Sequence, residues 1–321
     1  MRTLRLLTMV WHSPYIDMAA RILLPSILQP GNLPAIPNKL AHLFVTDEAS
    51  KNEIEDRLVG PLQRALGKRY SHEYFLTSGR DMGGEGMRDC IGKCVADGAQ
   101  MMLLPPDMFF ANGSLGNLVR YVGERDFCVA GLHVRVDKEK FLLAYERLLA
   151  PRTISAPELV DLSFACAHPC LSQAFCDPGL KHDGSQQPDF SNCYVGGIYL
   201  QRLAPGLTSC IHRLPTTYLC TLVSHDADLF KKLNKCSWGR YDWRWPENLI
   251  NEGRFKFLAA SDLFFGVELT DAAVPGPPME RRPWNDEFMA DTDSMTSKTR
   301  VHFRHNRMMI GLLRGCASRP G

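Results

Sequence analysis

The chain has 321 residues, 45% of them hydrophobic and 22% charged, and a net charge of +2. This is the profile of an ordinary soluble globular protein, long enough for one large domain or two small ones. So small a charge gives no field to hold a nucleic-acid backbone or an anionic membrane; nucleic acid is not expected as a partner, and an anionic ligand has to be met by a local site.

No apolar run reaches the roughly 18–20 residues that a membrane span needs. The opening MRTLRLLTMVWHSPY lacks a small-residue cleavage site and reads as a first buried strand. Eleven cysteines are scattered along the chain, an odd number without the density of a disulfide framework. They are expected to be reduced thiols of a cytoplasmic protein.

Leu4–Val10 fits a buried parallel strand, and Asp17–Leu28 has helical periodicity with Pro25 expected to kink or stop it. QPGNLPAIPN reads as a turn-rich connector. Leu40–Val45 is a second strand, running into Thr46 and Asp47. Asn52–Leu66 is an amphipathic helix with Ile54, Leu58, Leu62 and Leu66 on one face. Tyr70–Leu76 is a third strand, SGRDMGGEGM a glycine-rich loop, and Met87–Asp97 a helix. Met101–Leu104 is a fourth strand, Ser114–Val122 a helix and Phe127–Val136 a fifth strand. This alternation predicts an α/β fold with a mostly parallel central sheet flanked by helices.

The second half is less regular. A helix is expected over Ala156–Phe175, broken near His168-Pro169, then a polar loop over Lys181–Asn192. Strands are expected over Tyr194–Leu200, Cys210–Leu222 and Phe255–Phe265. Gly266–Asp293 reads as loop, and Ser297–Arg314 as a basic terminal helix.

Ligands of parallel sheets bind beyond the carboxyl ends of the strands. Those ends carry Trp11 and His12, Thr46 and Asp47, Ser78 to Arg80, and Asp107. In MMLLPPDMFFANGSLGNLV an apolar strand runs into Asp107, and Ser114 is placed to cap the next helix. A carboxylate at such a strand end can hold a divalent cation, which in turn bridges a diphosphate. The alternative is an aspartate that only caps a turn.

This segment resembles the glycosyltransferases of the A type, in which an apolar strand ends in Asp-x-Asp; here Pro105 stands in the first Asp position. RDMGGEGMRDCIGKCVADGAQMMLLPPD is similar to the stretch that leads into that strand. WHSPYIDMAARILLPSILQPGNLPAI with LFVTD, the His168-Pro169 pair, His212 with Pro215, SHDAD and LAASDLFF extend the likeness to a group of bacterial glycosyltransferase-like proteins, to about Thr270. The resemblance implies a nucleotide-sugar donor near Trp11, His12, Thr46, Asp47, Arg80, Asp81, Arg88 and Pro106. It implies a divalent cation, Mn or Mg, at Asp107, with His212 a candidate metal or phosphate contact; a core or surface histidine is the alternative. Arginine suits phosphate through its planar fork, against the alternative of a solvated helix-surface arginine.

Asp226 and Asp228 form a close carboxylate pair, suited to take a proton from an acceptor hydroxyl or to steady a cationic transition state; helix capping is the alternative. Trp238, Trp243 and Trp245 offer apolar faces on which a glycan acceptor can pack, or else form a core cluster or an oligomer contact. The basic tail segment holding Lys298, Arg300, His302 and Arg304 can close over a diphosphate or be a solvated face.

Three other chemistries are disfavoured. Cys166, His168, Cys170, Cys176 and His182 lack the paired knuckles of structural zinc, and Cys90 and Cys94 read as core. Gly83, Gly84 and Gly86 do not match a dinucleotide fingerprint, and no Gly-x-Ser-x-Gly elbow is present. The sequence therefore predicts a glycosyltransferase acting on a glycan or other hydroxyl. Its catalytic domain spans 1–270, with a donor half to about 140 and an acceptor half after it, followed by an extension over 271–321. A non-catalytic binding descendant or a nucleotidyltransferase on the same sheet are the alternatives.

Overall fold

The structure, a computed structural model, describes residues 3–78, 82–121, 128–131, 133–148, 153–168, 175–176, 199–204, 207–211, 222–223, 255–258, 261–273 and 307–310. Its first half runs β1 (Leu4–Met9), α1 (Ser13–Met18), a π turn (Ala19–Leu23), α2 (Leu24–Ile27) and β2 (Leu40–Thr46). There follow α3 (Lys51–Ile54), a second π turn (Glu55–Val59), α4 (Gly60–Leu66), β3 (Tyr70–Leu76), α5 (Met82–Asp97), β4 (Gln100–Leu103), β5 (Met108–Phe110) and α6 (Ser114–Tyr121). Then come β6 (Cys128–Gly131), β7 (His133–Asp137), α7 (Lys138–Arg147) and α8 (Ala156–Ala165). The remaining strands are β8 (Phe175–Cys176), β9 (Tyr199–Ala204), β10 (Leu207–Ile211), β11 (Leu222–Val223), β12 (Phe255–Leu258), β13 (Gly266–Thr270) and β14 (Arg307–Ile310).

The central sheet has the order β12-β6-β11-β4-β1-β2-β3. β11 is antiparallel to both its neighbours, and every other pair is parallel. This is the expected α/β architecture, a mostly parallel sheet flanked by helices. Strands buried on both faces are near-continuous apolar runs, as in Leu4, Leu6 and Leu7 of β1 and Leu40, Leu43 and Val45 of β2. Side chains alternate between faces. Thr8, His42 and Phe44 point to the layer of α1 to α4, where a small, largely apolar void separates them from Ala19, Leu23, Ile27, Leu58 and Leu62. Val45 points to the other layer and meets α5 at Gly86. A Cβ on Gly86 would stand 2.2 Å from a Val45 methyl, so this helix can approach the sheet only through a glycine.

Proline inside a helix removes a hydrogen bond and crowds the preceding turn. Pro25 does not stop the first helical run, which continues to Ile27. The π turn at Ala19–Leu23 comes directly before it, and the wider turn absorbs the missing N–H. The second run repeats the device, with the π turn at Glu55–Val59 ahead of Gly60-Pro61.

QPGNLPAIPN is not a loose connector. Asn32, fully buried, donates from Nδ2 to the carbonyls of Ser26 and Ala111 and accepts from the Leu115 amide. Gln29 donates to the Phe110 carbonyl and accepts from the Ile154 amide, and the Gly31 amide donates to Asn112 Oδ1 at 2.7 Å. A Cβ on Gly116 would stand 2.4 Å from the Gly31 carbonyl, so the two segments touch backbone to backbone. Ser114 Oγ accepts from the Phe265 amide and donates to its carbonyl. These bonds fasten the β5–α6 turn to the first helical layer and to the residues before β13.

Several elements differ from expectation. The glycine-rich loop is helix from Met82 onward. The single strand over 127–136 is two: β6 joins the central sheet, and β7 joins a small sheet ordered β5-β13-β7. β13 lies where a loop was expected, and β12 ends at Leu258. The helix beginning at Ala156 ends at Ala165, before His168. Arg307–Ile310, expected as helix, is a strand parallel to β9 in a further sheet ordered β14-β9-β10-β8. The polar loop over 181–192 lies outside the described residues. Among the described residues no helix is long and apolar enough to cross a membrane.

Candidate functional site

The carboxyl ends of β4, β1, β2 and β3 lie side by side, since these strands are adjacent and parallel. At the end of β1, Val10 still bonds the sheet through the Val45 carbonyl; the chain then turns at Trp11 and His12 into α1. His12 has φ +62° and ψ +139°, a region costly for any residue with a side chain. Its amide is held by Ser50 Oγ at 3.0 Å, and the Ser50 amide is held in turn by Asp47 Oδ1 at 2.7 Å. The loop after β2 thus clamps the turn after β1 and supports the strained residue.

The outcome is an exposed edge. The His12 ring is 68% exposed, with Nδ1 3.8 Å from Asp47 Oδ2. The rings of Trp11 and Tyr15 lie 6.3 Å apart, and Tyr15 is 54% exposed. Beside them Ser13 donates to Glu53, which also pairs with Arg57. An imidazole, a carboxylate and two aromatic faces therefore meet in one solvent-facing patch, able to hydrogen-bond a polar ring and stack against it. Thr46 is fully buried, and its hydroxyl has no partner. It does not present its side chain at this edge as the sequence reading expected.

Asp107 follows β4 across Pro105 and Pro106, neither of which has an N–H to continue a strand. The Met108 amide donates to the Pro105 carbonyl at 3.3 Å, closing a turn, and the Leu269 amide donates to the Asp107 carbonyl at 2.9 Å. Pro106 is therefore part of the turn that carries the carboxylate. Burial pushes the Asp107 carboxyl up, the charge of Glu268 pushes it further and Arg135 draws it back, with the balance at about 7. Glu268 pairs with Arg135 at 3.2 Å across β13 and β7. A hydrated Mg or Mn ion is commonly held by one or two carboxylates and completed by substrate phosphates. Glu268 is engaged by Arg135, so the described residues offer Asp107 as such a carboxylate. A cation there would offset the repulsion between Asp107 and Glu268, so the donor chemistry fits. Among the described residues no group of three or more His, Cys, Asp or Glu side chains is placed to hold a metal without further ligands.

Of the residues singled out from sequence, the structure brings Trp11, His12 and Asp47 together and sets Asp107 and Pro106 at the end of the adjacent strand. Arg88 is exposed on α5. Arg80, Asp81, His212, Asp226, Asp228, Trp238, Trp243 and Trp245 lie outside the described residues, as do the basic residues 298–305. His168 is fully buried, with Nε2 3.1 Å from the Asp271 carbonyl. Cys90 and Cys94 are buried, as expected of core. The sequence reading missed Tyr15, Ser50, Arg135 and Glu268. The last two stand as charged residues inside the short apolar strands HVRVD and GVELT, the one signal that marks them.

No family model matches the chain, and no curated protein matches it. Among solved structures it is similar to the apo form of mouse xyloside xylosyltransferase 1, with 14% identity and a TM-score of 0.29, over 47% of this chain. The chain spans 63% of that protein's length. It is also similar to a putative glucose-1-phosphate thymidylyltransferase from Bacillus anthracis, in complex with a sucrose, with 9% identity, a TM-score of 0.38, and 79% and 85% of the two chains covered. A third similarity is to a UTP-bound UGPase from Acinetobacter baumannii, with 8% identity, a TM-score of 0.35, and 84% and 86% covered. Likenesses this distant leave the reading of the site to its own residues.

Proposed function

We propose that the chain is a glycosyltransferase that takes a sugar from a nucleotide-sugar donor and passes it to a hydroxyl on a glycan or a similar acceptor. The observation that carries this reading is the exposed edge at Trp11, His12, Tyr15 and Asp47, held in a strained turn, next to the Asp107 strand end. Strain kept at an exposed polar turn suggests a selected geometry, because a glycine there would remove the cost.

In this reading Trp11 stacks against the base, while His12 and Asp47 hydrogen-bond the base or ribose. Asp107 faces the diphosphate, at which a divalent cation would supply charge neutralisation when bound. Pro106 fixes the turn that aims the carboxylate, and Arg80, Asp81 and Arg88 flank the donor. His212 is the second cation ligand. Asp226 or Asp228 takes the proton from the acceptor hydroxyl, and Trp238, Trp243 and Trp245 provide the acceptor platform.

Isothermal titration with a panel of nucleotide sugars, with and without Mn, tests this. Binding by at least one donor, weakened in Asp107→Ala, is expected; no binding by any of them refutes the reading. One observation favours a second reading, a non-catalytic binding protein on the same fold: the Asp107 carboxyl lies against the Arg135–Glu268 pair. Slow hydrolysis of a bound donor separates the two, because only the transferase leaks donor to water.

A further inference from the structure

We infer that Thr8, His42 and Tyr70 are positioning residues: a buried, one-directional hydrogen-bond chain across β3, β2 and β1 that fixes the Leu104 carbonyl and thereby aims Asp107. The inference rests on the donor-site reading above for its functional consequence. The chain of bonds itself stands on geometry.

The last register pair of β1 and β4 is Leu7 with Leu103. The backbone supplies one more bond, from the Leu104 amide to the Leu7 carbonyl at 2.8 Å. Pro105 and Pro106 then end any further strand pairing on their side. A side chain takes over at this point: Thr8 Oγ1 donates to the Leu104 carbonyl at 2.9 Å. A hydroxyl has one proton. With that proton spent on Leu104, Thr8 Oγ1 can only accept from His42 Nε2, 2.8 Å away. His42 therefore carries its proton on Nε2, and its bare Nδ1 accepts from the Tyr70 hydroxyl at 3.2 Å.

Thr8, His42 and Leu104 are shut off from solvent and Tyr70 nearly so, so no water can replace a lost partner cheaply. Each bond sets the direction of the next, and the series ends on the carbonyl from which the Pro105-Pro106-Asp107 turn departs. Two prolines with fixed φ transmit that anchor to Asp107 with little slack. The far side of the turn is tied by the Leu269 amide on the Asp107 carbonyl.

The test combines amide hydrogen exchange, histidine NMR and ligand titration on the full chain. In the unmodified protein, nitrogen shifts of His42 should show a protonated Nε2 and a bare Nδ1; the opposite tautomer overturns the inference without any variant. Thr8→Val removes the hydroxyl at nearly constant shape and Thr8→Ser keeps it. In Thr8→Val, exchange at the Met108 and Leu269 amides should rise about tenfold beyond any rise at amides elsewhere in the central sheet. Thr8→Ser should stay within about threefold of the parent. A uniform rise over the sheet means that Thr8 is merely structural and overturns the positioning role. If Thr8→Val does not fold, Thr8→Ser and Tyr70→Phe carry the exchange comparison.

For the functional consequence, affinity for uridine diphosphate with Mn should fall about tenfold in Thr8→Val and fall no further when the substitution is added to Asp107→Asn. Additive losses show that Thr8 does not act through Asp107. Should the parent chain bind no nucleoside diphosphate, the donor-site reading falls alone, and the exchange pattern still decides whether this chain of bonds anchors the turn.

Discussion

The Asp107 carboxyl is held at about 7 in the folded chain, against 3.8 for a free side chain, because it is buried beside Glu268. The folded form thus binds this proton more tightly than the unfolded form. Stability from this group is present in full below about pH 3.8 and is lost as the pH rises through about 7. At about 1.4 kcal/mol per pH unit, the ceiling on the loss is about 4 kcal/mol. Asp107 retains some solvent access, which screens its charge, so about 1–3 kcal/mol is expected between pH 5 and pH 8. Asp107→Asn keeps the shape and removes the titration. Urea denaturation followed by tryptophan fluorescence, at pH 5 and pH 8, should show the variant gaining on the parent by that amount at the higher pH. The same variant should lose affinity for a nucleoside diphosphate with Mn. A functional carboxylate held at a cost in stability behaves in this way. An unchanged gap between the two pH values refutes the electrostatic account of the site.

His42 provides the opposite sign. Burial, with a smaller contribution from His72, lowers its folded-state pKa to about 3 from 6.5, so its stability is complete above about pH 6.5 and is lost as the pH falls toward 3. His42→Gln keeps a donor and an acceptor without titrating. The parent's advantage over it should shrink by up to about 3 kcal/mol between pH 6.5 and pH 4, and parallel denaturation curves would contradict a buried neutral imidazole. His12→Gly should raise stability by about 1 kcal/mol through relief of the φ +62° strain. It should also weaken donor binding in titration; a variant that gains stability and keeps its affinity removes His12 from the site. Gly86→Ala should cost about 1–3 kcal/mol by driving a methyl into Val45, and adding Val45→Ala should recover part of that in a thermal melt.

β1, β2 and β4 were legible as largely apolar runs bounded by polar or turn residues, and Trp11, His12 and Asp47 followed as the residues just past the ends of β1 and β2. The start of α5 was not legible, because Gly83, Gly84 and Gly86 suggest a loop. The role of Gly86 is a close approach to Val45, which no local pattern reveals. β6 ends at Gly131 and β7 begins at His133 with no proline or polar turn sequence between them, and the partner that draws β7 into the small sheet, β13, is distant in sequence. Arg135 and Glu268 were missed for the same reason: their meeting depends on that pairing. Asn32 and Gln29 looked like turn residues, yet their side chains hold backbone groups from distant segments, a use of polar residues that sequence spacing does not encode.

The central claim is that the edge formed by Trp11, His12, Asp47 and Asp107 receives a nucleotide diphosphate. A crystal structure of the chain soaked with uridine diphosphate and Mn tests it most directly. The account predicts the base against Trp11 within reach of Asp47, and metal density at the Asp107 carboxylate. Nucleotide bound elsewhere, or saturating ligand with that edge empty and Asp107 turned onto Arg135, would contradict it.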